Sequence, residues 1–233
     1  MFNRRKTKNI FIGNIGIGSD FPVSIQSMTN SDTRDVQKTI SQIKELAEAG
    51  CEIIRIAVPD MEAAEKTKEI VEKSPIPVVA DIHFDYRLAL ESIKNGIHGM
   101  RINPGNIGSE DRIKAVVDAA KFHNIPIRIG VNSGSVEKEM LEKYNGVNSN
   151  SLIESAMKHV KILEKFNFDQ IKISIKASEV PLMIDVYRKL AEKVDYPLHL
   201  GVTEAGSVNT GIVKSSVGIG TLLAEGIGDT IRV

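Results

Sequence analysis

The chain has 233 residues, 30 basic and 30 acidic side chains, and a single cysteine. This length fits one large domain and is typical of a single α/β barrel. The balanced charge excludes binding of nucleic acid or a membrane surface by bulk charge, so any anion site must come from a local arrangement of cations. One cysteine excludes an internal disulfide, a cysteine-based zinc site and an all-cysteine iron–sulfur cluster held by this chain alone.

The N-terminus is basic, with the sequence MFNRRKTKN. The apolar run that follows, residues 10–12, is too short for the hydrophobic core of a signal peptide. No stretch approaches the roughly 18 apolar residues of a membrane-spanning helix. We therefore expect a cytoplasmic protein that binds neither membrane nor nucleic acid.

Short β-branched runs alternate with longer amphipathic stretches along the whole chain. The runs predicted as strands are 23–27, 53–58, 78–82, 99–102, 127–131, 171–175, 198–201 and 230–233. Seven helical patterns separate them, the first capped by Asp32 or Thr33 and followed by Gly50. Eight strands in strand–helix alternation favour a closed (β/α)8 TIM-type barrel over an open sheet. The first strand–helix turn also lacks the G-x-G-x-x-G of dinucleotide-binding folds.

Two further features flank the predicted barrel. Residues 9–17, turning at Gly13 and Asn14, predict a β-hairpin that plugs the bottom of the barrel. The eighth strand ends with the sequence at Val233, so the helix that would cover this strand is missing. We interpret residues 1–233 as one barrel domain and as part of a longer protein. The alternative is a barrel closed by another chain, or a variant topology.

Cations recur in the predicted strands, and the active sites of such barrels form at the C-terminal strand ends. Five strands carry them: Arg55, Arg101, Arg128, Lys172 with Lys176, and Arg232. One such side chain alone is explained by packing of its stem or by pairing with a carboxylate. Two acids at strand ends, Asp81 and Glu204, cannot neutralise all five positions. The pattern therefore predicts a site for an anion with more than one negative group, most simply a diphosphate.

The same two carboxylates are the candidates for acid–base roles. Glu204 ranks first and Asp81 second, since neighbouring cations would keep either one ionised as a hydrogen-bond acceptor or base. The alternative is that each carboxylate only neutralises an arginine.

Four other features are less specific. The loop at 103–108 ends at a helix N-terminus, where free N–H groups favour anions. His83 and His199 are weak candidates for proton donors or metal ligands, and no metal site is predicted. Cys51 is expected to be a small buried apolar residue.

Eight segments of the sequence are distinctive. They are PVSIQSMTN, GCEIIRIAVPD, PVVADIHFDYRLAL, RINPGNIG, IPIRIGVNSGS, KASEV, YPLHLGVTEAG and EGIGDTIRV. Together they resemble the family of bacterial 4-hydroxy-3-methylbut-2-enyl diphosphate synthases, the iron–sulfur enzymes of the non-mevalonate isoprenoid pathway. The resemblance runs from about Lys6 to Val233, in order and at the expected spacing.

The resemblance implies a TIM-type barrel followed by a smaller C-terminal domain with a 4Fe–4S cluster. It also implies a homodimer in which the cluster domain of one subunit caps the barrel of the other. The implied substrate is 2-C-methyl-D-erythritol 2,4-cyclodiphosphate, whose ring is opened with loss of water by two electrons from flavodoxin or ferredoxin. The residues that resemble the family's substrate-binding groups are Arg55, Arg101, Arg128, Asn132 and Lys176. Glu204 resembles the carboxylate near the reacting carbons, and Asp81 is a second catalytic candidate.

The sequence departs from the family in one respect. The family's cluster is held by three cysteines and a glutamate of the C-terminal domain, and the sequence stops before them. The resemblance therefore implies that these residues alone bind no cluster and perform no redox chemistry. Two alternatives remain open: a pterin-binding transferase resembling dihydropteroate synthase, and a non-catalytic anion-binding barrel without a cluster domain.

Overall fold

A computed structural model describes residues 4–233 of the chain. A hairpin comes first, formed by β1 (Ile10–Ile12) and β2 (Ile15–Ile17). The strands that follow are β3 (Ser24–Met28), β4 (Ile53–Ala57), β5 (Val78–Asp81), β6 (Gly99–Arg101), β7 (Ile127–Asn132), β8 (Ile171–Lys176), β9 (His199–Leu200) and β10 (Thr230–Ile231). The helices are α1 (Val36–Glu48), α2 (Met61–Lys73), α3 (Tyr86–Lys94), α4 (Glu110–Phe122), α5 (Lys138–Lys143), α6 (Ser149–Lys165), α7 (Val180–Ala191) and α8 (Val208–Ala224).

The strands β3 to β10 form one parallel sheet in the order β8-β7-β6-β5-β4-β3-β10-β9. The two ends of this sheet meet at a parallel bridge between Ile173 and Leu198, where the Ile173 N–H donates to the Pro197 carbonyl oxygen at 3.0 Å. The sheet therefore closes on itself, with helices in the connections. The predicted TIM-type barrel and its eight strands are confirmed, with strand ends that differ by up to two residues.

Helix α1 begins later than the sequence predicted. Its N-cap is Asp35, whose carboxylate accepts a hydrogen bond from the helix backbone. The predicted cap at Asp32 or Thr33 is wrong because both side chains are engaged elsewhere. Asp32 binds the backbone and guanidinium of Arg34, and the Thr33 hydroxyl donates to the Ala57 carbonyl oxygen at 2.6 Å.

The connection from β7 to β8 contains two helices, where the sequence predicted one. Helix α5 has six residues and buries only Met140, so its apolar spacing is too short to show a helical period. Helix α6 has a clear signal, because a capping box joins Asn148 and Ser151 at its start.

The hairpin covers the N-terminal end of the barrel. Ile10, Ile12 and Ile17 are buried in one cluster with Ile53 and Val79, which lie near the starts of β4 and β5. This packing confirms the predicted plug, and it places the hairpin at the end of the barrel opposite the C-terminal strand ends.

The outer face of the barrel is open beside β10. Ile25 of the neighbouring strand β3 is 46% exposed on this face, whereas Gln26, the next residue, lies inside the barrel and is buried. Ile25 is therefore an apolar side chain that the described residues leave uncovered. None of the helices in residues 4–233 combines the length and the apolar character needed to cross a membrane.

Candidate functional site: a cationic cavity at the barrel mouth

A cavity of about 280 Å³ opens at the C-terminal ends of the barrel strands. Its cationic lining residues are Arg55, Arg101, Arg128, Lys176 and Arg232. Asp81, Glu204 and Asn132 line the same cavity. The structure thus brings these residues together from seven different strands or the loops after them, whereas Lys172, the remaining cation of the predicted set, lies outside the lining.

The neighbouring strands β7 and β8 form one wall of the cavity, and in both strands the side chains alternate between the inside and the outside of the barrel. Successive side chains of a strand point to opposite faces, so residues two apart share a face. On the face that points into the barrel, the directly opposed pairs are Arg128 with Lys172, which lies below the cavity, and Gly130 with Ser174 and Asn132 with Lys176 in its lining. The intervening isoleucines, such as Ile129 and Ile173, join the apolar core.

Asp81 is the buried carboxylate at the centre of the cationic lining and is only 5% exposed. Its Oδ2 lies 3.5 Å from Arg55 Nε, and its Oδ1 lies 3.3 Å from Arg101 Nη1 and 3.6 Å from His83 Nε2. Burial alone would raise the pKa of Asp81, but the adjacent His83 ring and the nearby arginine charges outweigh it and hold this pKa well below its ordinary value. Asp81 is therefore ionised at neutral pH and anchors two arginines.

Arg101 is fixed by the backbone of β7. Its Nη2 donates to the Gly130 carbonyl oxygen at 2.8 Å, and the Asn103 side chain bonds both the N–H and the carbonyl oxygen of Gly130 at 3.1 and 3.0 Å. A Cβ atom at Gly130 would lie 2.8 Å from Arg101 Nε, which is closer than real contacts allow. The guanidinium of Arg101 therefore occupies space that only glycine leaves free.

Substituting Gly130 with alanine tests whether this position of Arg101 serves anion binding. The new methyl group displaces a flexible guanidinium and not backbone, so we expect the fold to persist. We expect inorganic pyrophosphate to bind about 10- to 100-fold more weakly, because a hydrogen bond to a charged group contributes about 1.5–3 kcal/mol. Calorimetric titration measures this change. Gly134→Ala is the matched control, since its Cβ meets nothing within 4 Å; equal affinity of both variants would contradict the assignment.

Two buried cations of the cavity, Arg128 and Lys176, have no carboxylate partner in the described part of the chain. Arg128 is 4% exposed and its Nε atom lacks a hydrogen-bond partner, and Lys176 is 8% exposed. Burial lowers the pKa of both groups well below their usual values, and neighbouring cations, Arg55 for Arg128 and Arg232 for Lys176, lower it further. Unpaired buried cations are costly, so the cavity favours an anionic ligand.

Glu204 lies at the rim of the cavity, beyond β9, and is exposed. Its φ angle is +50°, in the left-handed region that side chains other than glycine seldom adopt. Unfavourable backbone conformations of this kind concentrate at functional sites. Glu204 is therefore the exposed carboxylate of the cavity lining, held in an unfavourable backbone conformation.

Some residues that the sequence considered lie outside the cavity lining. Lys172 is 2% exposed and sits deeper in the barrel, 3.4 Å from the Thr230 hydroxyl. His199 is 1% exposed, and neither ring nitrogen has a hydrogen-bond partner. His83 does line the cavity beside Asp81.

The amides of the loop at 103–108 are used within the protein. The Gly105 N–H donates to His159 Nδ1 at 3.2 Å, and the Asn106 and Ile107 N–H groups donate to carbonyl oxygens of the same loop. These three N–H groups therefore do not supply the anion donors that the sequence suggested at this loop.

Sequence reasoning missed several lining residues, among them Gly130 and Ser174. The Ser174 hydroxyl is buried, faces the cavity and has no hydrogen-bond partner. The alternation of Lys172, Ser174 and Lys176 along one strand would have identified the serine as part of the same face.

No set of three or more histidine, cysteine, aspartate or glutamate side chains suited to a metal ion occurs in residues 4–233. Cys51 is 7% exposed, its Sγ donates to the Ile53 carbonyl oxygen at 3.1 Å, and burial raises the pKa of its thiol. This confirms Cys51 as a small buried residue. The thiolate ligands of an iron–sulfur cluster are therefore not provided by the described residues.

Comparison with solved structures supports the fold alone. A dihydropteroate synthase from Xanthomonas albilineans superimposes with a TM-score of 0.67 at 12% identity, covering 97% of this chain and 92% of the other. A 3-dehydroquinate dehydratase from Geobacillus kaustophilus gives a TM-score of 0.66 at 13% identity, covering 99% and 88%.

Sequence comparison identifies much nearer relatives. The 4-hydroxy-3-methylbut-2-en-1-yl diphosphate synthase (flavodoxin) of Clostridium perfringens is 62% identical over 231 residues, which cover 99% of this chain and 66% of the relative. The enzyme of the same name from Idiomarina loihiensis is 58% identical over 230 residues, covering 99% and 62%. The chain thus spans slightly less than two thirds of the length of these curated relatives. The model of the GcpE TIM-barrel domain matches residues 7–233, and the chain therefore belongs to the GcpE TIM-barrel domain family.

Proposed function

We propose that this barrel is the substrate-binding part of a synthase that opens 2-C-methyl-D-erythritol 2,4-cyclodiphosphate to 4-hydroxy-3-methylbut-2-enyl diphosphate in non-mevalonate isoprenoid biosynthesis. The observation that carries the proposal is the convergence of five cations in one cavity of about 280 Å³. Relatives about 60% identical over nearly the whole chain bear the name of this synthase. The fold likeness to dihydropteroate synthase, at 12% identity, supports no pterin chemistry.

In this proposal the cations hold the diphosphate. Arg128 and Lys176 lie on adjacent strands without carboxylate partners, so their guanidinium and amine groups are available to phosphate oxygens. Arg55 and Arg101 are held by Asp81 on one side of the cavity, which orients their guanidinium groups before substrate arrives. The proposed substrate-binding residues are Arg55, Arg101, Arg128, Asn132 and Lys176, with Arg232 as an additional lining cation.

The two carboxylates have different proposed roles. Asp81 touches its arginines and has a lowered pKa, so it acts as a fixed anion that positions Arg55 and Arg101 rather than as a proton donor. Glu204 stands at the rim, where it would orient or protonate the leaving oxygen of the substrate. Of the two proposed catalytic residues, Asp81 thus positions the arginines and Glu204 serves the proton transfer.

The overall reaction consumes two electrons and two protons, opens the cyclodiphosphate ring and releases one water. The electrons require a redox group, and the described residues do not fit one: Cys51 is buried away from the cavity lining. We place the 4Fe–4S cluster in a C-terminal domain beyond these residues, within a homodimeric enzyme. The names of the relatives support flavodoxin as electron donor. The chain's own residues bind and orient the substrate, with Glu204 placed to orient or protonate the leaving oxygen.

Calorimetric titration of this chain with the cyclodiphosphate tests the proposal. We expect saturable binding to the wild type and binding about 10- to 100-fold weaker for Arg128→Met, since charge-assisted hydrogen bonds to the anion are lost. Arg188→Met is the matched control, because Arg188 is 52% exposed on α7, lies outside the cavity lining and pairs with Glu225. The absence of binding heat at millimolar cyclodiphosphate would contradict the proposed site.

A further inference from the structure

Lys176 is buried in a setting that disfavours its charged form. It lies at the end of β8 with 8% exposure, and none of the described carboxylates lies within 4.0 Å of its amine. A lysine ammonium is strongly hydrated, so removing water without adding a partner makes the neutral amine more stable. Lysine, unlike arginine, can release its proton under these conditions.

The charges around Lys176, like its burial, favour the neutral amine over the ammonium form. The ionisable groups that face it across the cavity are Arg55, Asp81, His83, Arg101, Arg128, Glu204 and Arg232. Asp81 is committed to two arginines, and Glu204 is exposed at the rim, so neither compensates Lys176. Burial lowers the pKa of Lys176 well below its usual value, and the charges of Arg232 and Arg128 lower it further.

We infer that Lys176 is a neutral amine in the unliganded barrel and takes up one proton when a multiply charged phosphate anion binds in the cavity. The inference rests on the proposed function and deepens it, because it makes binding depend on a proton. The anion supplies the missing negative charge in contact with the amine, which favours the ammonium form. The proton comes from solvent, and no other bond changes.

Lys172 provides an internal reference for this inference. It shares the face of β8 with Lys176, is 2% exposed, and has the Thr230 hydroxyl at 3.4 Å as its hydrogen-bond partner. The charged groups around it are Arg55, Arg128 and Asp229, and burial is the main cause of its lowered pKa. Lys172 does not line the cavity, so it stays out of contact with a bound anion.

NMR of the whole chain with ¹⁵N-labelled lysine distinguishes amine from ammonium nitrogen directly. At pH 7.5 we expect the Lys176 signal to change from amine to ammonium on saturation with inorganic pyrophosphate, while the Lys172 signal remains that of an amine. The variants Lys176→Met and Lys172→Met assign the two signals. An ammonium signal for Lys176 without ligand, or an amine signal with saturating ligand, would overturn the inference.

The pH dependence of pyrophosphate affinity is a second measurement. Because binding takes up a proton, the dissociation constant of the wild type should rise with pH, by up to tenfold per pH unit between the free and bound pKa values of Lys176. Proton loss from pyrophosphate itself acts in the opposite direction, since it increases the negative charge of the ligand. Lys176→Arg keeps a permanent charge and should lose this rise.

The outcomes separate the two proposals. Lys176→Arg with an unchanged pH slope, or pyrophosphate binding without a change in the Lys176 signal, contradicts the proton uptake alone. Failure of pyrophosphate to bind at millimolar concentration contradicts the anion site of the proposed function and, with it, the coupling.

Discussion

Replacing Asp81 with asparagine is expected to lower the free energy of unfolding by about 3–5 kcal/mol, the cost of leaving buried charge without its partner. Asp81 is the carboxylate that contacts both Arg55 and Arg101, and all three side chains are at most 11% exposed. Asparagine keeps the size of the side chain and removes its charge. Urea unfolding followed by circular dichroism measures the loss as a lower transition midpoint with an unchanged slope.

The pH dependence of the stability difference between wild type and Asp81→Asn is a second measurement. Because the pKa of Asp81 is lowered on folding, its stabilisation is complete above the ordinary carboxyl pKa and is lost as pH falls through the lowered value. The difference between wild type and variant should therefore be full at neutral pH and shrink in acid. Asp185→Asn is the control: Asp185 is 48% exposed, pairs with Lys189 on the same helix, and its loss should cost no more than about 1 kcal/mol. Equal midpoints for the two variants at pH 7 would refute the role of Asp81.

The second large effect concerns Glu204. In a full-length enzyme that carries this barrel, Glu204→Gln is expected to lower turnover about 10²- to 10⁴-fold, the range for loss of a positioned proton-transfer group. Substrate affinity should change little, because the diphosphate contacts belong to the cations. Steady-state kinetics gives turnover, and calorimetry with the cyclodiphosphate gives affinity.

The matched substitution Glu192→Gln is the control, because it makes the same change from glutamate to glutamine outside the cavity. Glu192 is an exposed residue at the C-terminal end of α7 and does not line the cavity. It should leave both turnover and affinity unchanged. Turnover of Glu204→Gln equal to that of this control would remove Glu204 from the mechanism.

The barrel was predictable because its strands are continuous apolar runs separated by helical patterns, and the cations in those runs had one plausible place to converge. The start of α1 was not predictable from local sequence. Asp32 and Asp35 both have the chemistry of an N-cap, and the choice depends on tertiary contacts such as the Thr33 hydroxyl with the Ala57 carbonyl oxygen. Helix α5 was missed because six residues are too few to show a period.

The depth at which each side chain lies in the barrel was also not predictable from the sequence. The sequence put Lys172 and Lys176 on one strand face, but only the closed barrel shows that Lys176 lines the cavity while Lys172 lies beneath it. The Gly130 position is another example, since the need for glycine arises from Arg101 on the neighbouring strand. The loop at 103–108 looked free to bind anions because nothing in its own sequence reveals that His159 accepts its amide hydrogen.

The alternation along β7 and β8 also has a consequence for how the chain finds its fold. A slip of one residue between these strands would turn a whole face over. If β8 slips against β7, Ile173 and Ile175 would enter the polar cavity, while Lys172 and Lys176 would be forced among the apolar side chains that meet the helices. Charges placed there have no partner and no water, so misregistered barrels are strongly disfavoured. The cationic side chains proposed to bind an anion therefore also favour the native strand pairing during folding, before any ligand is bound.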